Sequence, residues 1–145
     1  MGPLIVKAEQ RLKEQPMPTV FVLDENVHVS SHIVAILELL DCEAMPFSST
    51  QEYIDTLNGL QKNSKKLDAV ILSGAEAIRN GGFLVSQTKK VDKNIKILVI
   101  VRDKGDRHML LAAGADAIAT KPVSGPTLAF KILKLIPSVD LDMNR

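Results

Sequence analysis

Five side chains in this sequence sit where chemistry is easiest to build, each closing or directly following a short apolar run. Asp24 and Glu25 follow Thr19-Val20-Phe21-Val22-Leu23, Ser73 follows Ala69-Val70-Ile71-Leu72, Arg102 follows the run ending in Val101, and Lys121 follows Thr120. Adjacent carboxylates offer hard oxygen ligands to a divalent cation, but two of them without a third ligand make at best a weak Mg²⁺ site. No cofactor is therefore expected. A serine is neutral and becomes a nucleophile only beside a positioned base. Asp24 and Glu25 against Arg102 and Lys121 give a formal balance of zero, so a cleft holding all four is expected to neutralise itself without metal. His28 and His32 have the i, i+4 spacing of helical metal ligands, yet no cysteine or third histidine supports a site, and they read as surface residues. Cys42, the single cysteine, reads as a core thiol. Lys89, Lys90, Lys93 and Lys96 read as a solvated basic face. The chain has no G-x-x-x-x-G-K-[ST] phosphate loop, no G-x-G-x-x-G after a strand and no G-x-S-x-G elbow. Nucleotide and hydrolase chemistry thus lack their usual supports.

The elements that must position these residues alternate in period. Thr19 to Leu23 is a β-branched, apolar run that predicts a buried strand. Val29, Ile33, Ile36, Leu37 and Leu40 recur at helical steps, and a second strand is expected near Glu43 to Phe47. Ser49 and Glu52 form a capping box before a helix carrying Ile54, Leu57 and Leu60. Ala69 to Leu72 predicts the third strand, and a helix is expected around Gly82 to Lys90. Ile95 to Val101 is apolar at every position but Lys96, the mark of a strand covered on both faces. A short helix over 107–113, a strand over 115–120 and a helix bearing Leu128, Ile132, Leu135 and Ile136 complete five strand–helix units. Such alternation implies a parallel sheet with helices on both faces, whose ligand chemistry lies at the carboxyl ends of the strands.

The remaining residues bound the fold. Residues 1–18, closed by Pro16-Met17-Pro18, read as a helical appendage or linker, 19–137 as one domain, and 138–145 as a tail. Hydrophobic residues at 46% and charged residues at 24% suit a globular chain, and a net charge of +1 gives no general drive toward nucleic acid or anionic lipid. Apolar runs fall far short of the ~20 residues of a membrane helix, and no signal-peptide pattern opens the sequence. A cytoplasmic location is expected, without nucleic-acid or membrane partners.

Taken in order, the strand-end residues resemble the receiver domain of response regulators, the CheY-like module of two-component signalling. The resemblance covers roughly residues 19–137. Asp24-Glu25 is similar to the family's acidic pair, Thr120-Lys121-Pro122 to its Lys-Pro, and Ala113-Gly114-Ala115-Asp116 to the turn before its fifth strand. Gly81 stands eight residues beyond Ser73, the interval between the family's phosphoacceptor and a loop glycine. The resemblance implies a flavodoxin-like, doubly wound, five-stranded parallel sheet of order 2-1-3-4-5. It also implies departures: Ser73 at the phosphoacceptor position, Val101 at the hydroxyl that reads the phosphoryl group, Ile118 at the switch aromatic, and Ala77 at a loop proline.

Acceptor, reader and indicator are thus all replaced. The expectation is a pseudo-receiver: a non-enzymatic, phosphorylation-independent interaction module in signal transduction. A phosphorelay receiver with an unorthodox acceptor, or a small-ligand sensor in the vacated acidic cleft, are the alternatives. The resemblance implies a protein partner or a second copy on the face of the fourth helix, fifth strand and fifth helix. There Met109, Leu110, Leu111 and Ile118 would form an apolar centre, with Lys131, Lys134, Arg107 and Asp106 as its charged rim. Successive helical side chains lie ~100° apart, so at least one of Met109, Leu110 and Leu111 is expected to stay partly exposed.

Overall fold

In a computed structural model, the structure describes residues 17–63 and 66–137, without the side chains of 61 and 63. The expected appendage and tail fall on 1–16 and 138–145, outside the described residues. The Pro18 carbonyl accepts the Glu43 N–H at 2.8 Å, just ahead of the first strand.

Strands β1 (Thr19–Leu23), β2 (Glu43–Phe47), β3 (Ala69–Ser73), β4 (Lys96–Val101) and β5 (Ala117–Thr120) form one parallel sheet of order β2-β1-β3-β4-β5. Helices α1 (Val27–Leu39), α2 (Thr50–Asn63), α3 (Ala75–Val91), α4 (Arg107–Ala113) and α5 (Gly125–Leu135) connect and follow them, with a 3₁₀ turn at Lys104–Asp106. The strand residues alternate between two cores because successive side chains point to opposite faces of a strand. Phe21, Leu23, Val70, Leu72 and Val99 pack against α2, α3 and α4, whereas Val20, Val22, Ile71, Leu98 and Ile100 pack against α1 and α5. The first core holds three aromatic rings in mutual edge contact, Phe21, Phe47 and Tyr53, with centroids 5.0–6.3 Å apart. Within it the Tyr53 hydroxyl shares a 2.7 Å hydrogen bond with Thr88, whose own proton reaches the Leu84 carbonyl at 2.7 Å.

Local caps fix where the helices start. The Asn26 side chain accepts the N–H groups of His28 and Val29, Ser49 Oγ accepts that of Glu52, and Ser124 Oγ that of Thr127. Helix α3 departs from expectation. It makes one turn over 75–78, breaks at Arg79, passes through left-handed conformations at Asn80, Gly81 and Gly82, and only then runs as a helix over 83–91. A Cβ at Gly82 would stand 3.2–3.4 Å from Ala113, Met109 and Leu110, so this glycine also lets α4 approach α3 closely.

Candidate functional site: an acidic cleft at the carboxyl edge of the sheet

The ends of β1, β3, β4 and β5 lead into a cleft of ≈ 410 Å³. Asp24, directly after β1, is the most buried of its carboxylates, at 4% exposure. Its Oδ1 accepts the Asn26 N–H at 2.8 Å, and a Cβ on Gly74 would come within 3.4 Å of the same oxygen. Its Oδ2 is buried with no hydrogen-bond donor, the nearest cation being Lys121 Nζ at 3.6 Å. Lys121 is held by its own backbone, whose N–H donates to the Val101 carbonyl at 2.7 Å. Glu25 and Arg102 are exposed on the rim, and neither has a hydrogen-bond or ion-pair partner among the described residues.

Two further carboxylates, Asp103 and Asp106, also line this cleft. They correct the expected charge balance: four carboxylates face two cations, leaving a formal excess of two negative charges. Asp103 is partly committed, since its Oδ1 accepts the Gly105 N–H at 2.9 Å. The signal was present in the sequence, as both acids lie within five residues of Val101 in the loop that leaves β4.

Ser73 closes β3, in register with Ile100, where the resemblance puts a phosphoacceptor. It is 1% exposed, its Oγ is buried without a hydrogen-bond partner, and it does not line the cleft. Val101 is buried and contributes to the cleft wall, and Ile118 is half-buried against the α2–α4 core. The donor set suits Mg²⁺ poorly. One oxygen of Asp24 is taken by Asn26 and the other faces a lysine, Glu25 is exposed on the rim, and the third position offers only a neutral, buried hydroxyl. Among the described residues no group of three or more His, Cys, Asp or Glu side chains is arranged to hold a metal.

Away from the cleft, Met109 is half-buried, Leu111 is 40% exposed and Leu110 is fully buried. Leu110 is therefore removed from the expected partner surface, because it fills the core between α3 and α4. Lys131 is half-buried, and Lys134 lies 4.7 Å over the ring of Phe130. Phe130, at 58% exposure, is an apolar surface residue on α5 that the sequence reading missed; it stands out of phase with the buried stripe Leu128, Ile132 and Leu135. Cys42 is buried, and desolvation, helped by the nearby charges of Asp41 and Asp68, pushes its thiol up to about 11. Lys89 leaves the presumed solvated basic face: its Nζ donates to the Ile95 and Lys93 carbonyls and pairs with Asp116. No helix among the described residues is long and apolar enough to cross a membrane.

No protein-family model matches the sequence, and no curated protein matches it. Solved structures do. A response regulator from Thermotoga maritima is 22% identical over 84% of this chain and 99% of its own, with a TM-score of 0.72. A response regulator receiver protein from Burkholderia phymatum is 27% identical over 81% of this chain and 94% of its own, with a TM-score of 0.69. The beryllofluoride-activated NtrC4 receiver domain dimer is 17% identical over 86% of this chain and 100% of its own, with a TM-score of 0.72. The fold is thus that of response-regulator receiver, CheY-like, domains, with the five-stranded order and helix placement they share.

Proposed function

We propose that this domain is a pseudo-receiver, a non-enzymatic module of two-component-type signalling that works through protein contacts without aspartyl phosphorylation. The burial of Ser73 Oγ carries the reading. The hydroxyl at the acceptor position does not line the cleft that a phosphodonor would enter, and no base touches it. Val101 could not donate a hydrogen bond to a phosphoryl oxygen, and Ile118 has no ring to follow one. In this reading the domain works in the cytoplasm and meets a protein partner or a second copy through α4, β5 and α5. Its apolar centre would comprise Met109, Leu111, Ile118 and Phe130, and its charged rim Arg107, Lys131 and Lys134. Receiver domains do pair, as the NtrC4 dimer illustrates.

Acetyl phosphate, or beryllofluoride with Mg²⁺, should leave the backbone amide signals around Ser73 and Lys121 unmoved and the mass unchanged. A shift centred on those residues, or a phosphoryl adduct, would overturn the reading. Leu111→Asp with Ile118→Asp should alter oligomeric state by light scattering or abolish partner capture. An unchanged folded double variant in both assays would place the working surface elsewhere.

A further inference from the structure

On the other side of Lys121 lies a second concavity, a groove of ≈ 640 Å³ between α1 and the segment that leaves β5. We propose that this groove is a binding site for a small organic anion with an apolar body, such as an aromatic carboxylate. Its floor is apolar, with Ile33, Ile100 and Leu128 buried, Val29 and Val123 partly open and Pro122 exposed at its edge. Every ionisable side chain that lines it is basic: His28, His32, Arg102 and Lys121. No carboxylate reaches it, in contrast to the cleft next door. His28, His32 and Arg102 have no side-chain hydrogen-bond or ion-pair partner among the described residues, so their donors are free for a ligand.

The ligand class follows from that lining. An apolar body gains by covering the floor, and the volume lies within the range of small-molecule sites. A carboxylate on that body meets guanidinium, ammonium and imidazole N–H donors, which give charge-assisted hydrogen bonds. A neutral body of the same shape keeps only the apolar contact, and a cationic one meets like charge. The spacing of His28 and His32 thereby acquires a role unrelated to metal, since one turn of α1 places both on the groove's rim.

The groove and the cleft share a wall formed by Val29, Ile100, Arg102 and Lys121. Lys121 faces Asp24 from that wall at 3.6 Å. An anion in the groove competes with Asp24 for Lys121, so occupancy is felt at Asp24 and at the Asn26 amide bonded to it. The proposal stands apart from the pseudo-receiver reading: either can fail without the other.

The test is a titration of the ¹⁵N-labelled protein with 2-naphthoate, followed by amide shifts, with 2-naphthalenemethanol as the neutral isostere. Naphthoate should give saturable shifts at Val29, Ile33 and Val123 with a smaller one at Asn26, and should bind about tenfold more tightly than the alcohol. Arg102→Ala and His32→Glu, both at exposed positions, should each weaken naphthoate severalfold while Lys90→Ala leaves it unchanged. Far-UV circular dichroism confirms that each variant is folded. Absence of saturation below about 10 mM, equal affinity for the alcohol, indifference to both groove variants, or shifts confined to another face would each overturn the proposal.

Discussion

Two aspartates at opposite edges of the sheet have opposite fates. Asp116, before β5, is well paired: its Oδ2 accepts the Ile97 N–H at 2.8 Å and Lys89 Nζ at 2.9 Å, and its N–H donates to the Ile97 carbonyl at 2.9 Å. Lys89 is itself engaged by the Ile95 carbonyl at 2.7 Å. Asp24, after β1, is more deeply buried yet leaves one oxygen without a donor, facing a lysine at 3.6 Å. Ser73 nearby leaves its hydroxyl unpaired as well. The amino edge of the sheet is therefore built for stability, with its polar groups satisfied. At the carboxyl edge, buried polar groups go unmatched, which costs stability and is the usual signature of a site kept for something other than folding.

The sharpest way to break this contrast is to remove the well-paired acid. Asp116→Ala leaves the Ile97 N–H without its acceptor and Lys89 without its counter-charge, and should destabilise the domain by about 2–3 kcal/mol in urea unfolding. Alkaline titration gives the next largest effect. Cys42 has its pKa raised in the folded state, so the stability linked to it is full below the ordinary thiol value and is lost as pH rises toward about 11. Unfolding free energy should decline across that window, and Cys42→Ala should flatten the decline. Asp24→Asn keeps an acceptor for the Asn26 amide and removes a buried, poorly matched charge. It should leave stability unchanged or raise it by up to about 1 kcal/mol, the opposite sign to Asp116→Ala. Ser73→Ala should change stability least, raising it by a few tenths of a kcal/mol by deleting an unpaired hydroxyl. If Asp24→Asn destabilised the protein as much as Asp116→Ala, the contrast between the edges would collapse. At the cleft itself, Mg²⁺ should bind only weakly in calorimetry, and Ser73→Asp should strengthen it by supplying a third carboxylate.

Much of this architecture was legible in the sequence because periodicity reports burial directly. The runs ending in Leu23, Ser73 and Val101 and the stripe Leu128, Ile132, Leu135 and Ile136 all fall where expected. What stayed hidden depends on contacts between distant elements. Lys89 looked like one of four exposed lysines until Asp116, distant in sequence, was brought beside it. His28 and His32 became the rim of a groove only once Pro122, Val123 and Leu128 stood opposite. The turn at 75–78 was invisible because the left-handed residues that follow it carry no hydrophobic period. Ser73 was legible as a residue type, but the burial of its hydroxyl without a partner was not.

The split of the core into an aromatic half and an aliphatic half has an optical consequence. Tyr53 is the sole tyrosine, the chain has no tryptophan, and the α1–α5 core contains no aromatic ring. Tyrosine emission and most near-ultraviolet dichroism therefore originate on one side of the sheet, from a ring locked against Phe21, Phe47 and Thr88. Burial pushes its phenol well above the usual range although the Thr88 hydrogen bond pulls the other way, so the dye-like tyrosinate band should emerge only when that half opens. Unfolding watched by this intrinsic chromophore reports the packing of α2 and α3. A tryptophan placed at exposed Phe130 on α5 would give the other half a colour of its own, and coincident transitions from the two reporters would establish that both halves melt as one unit.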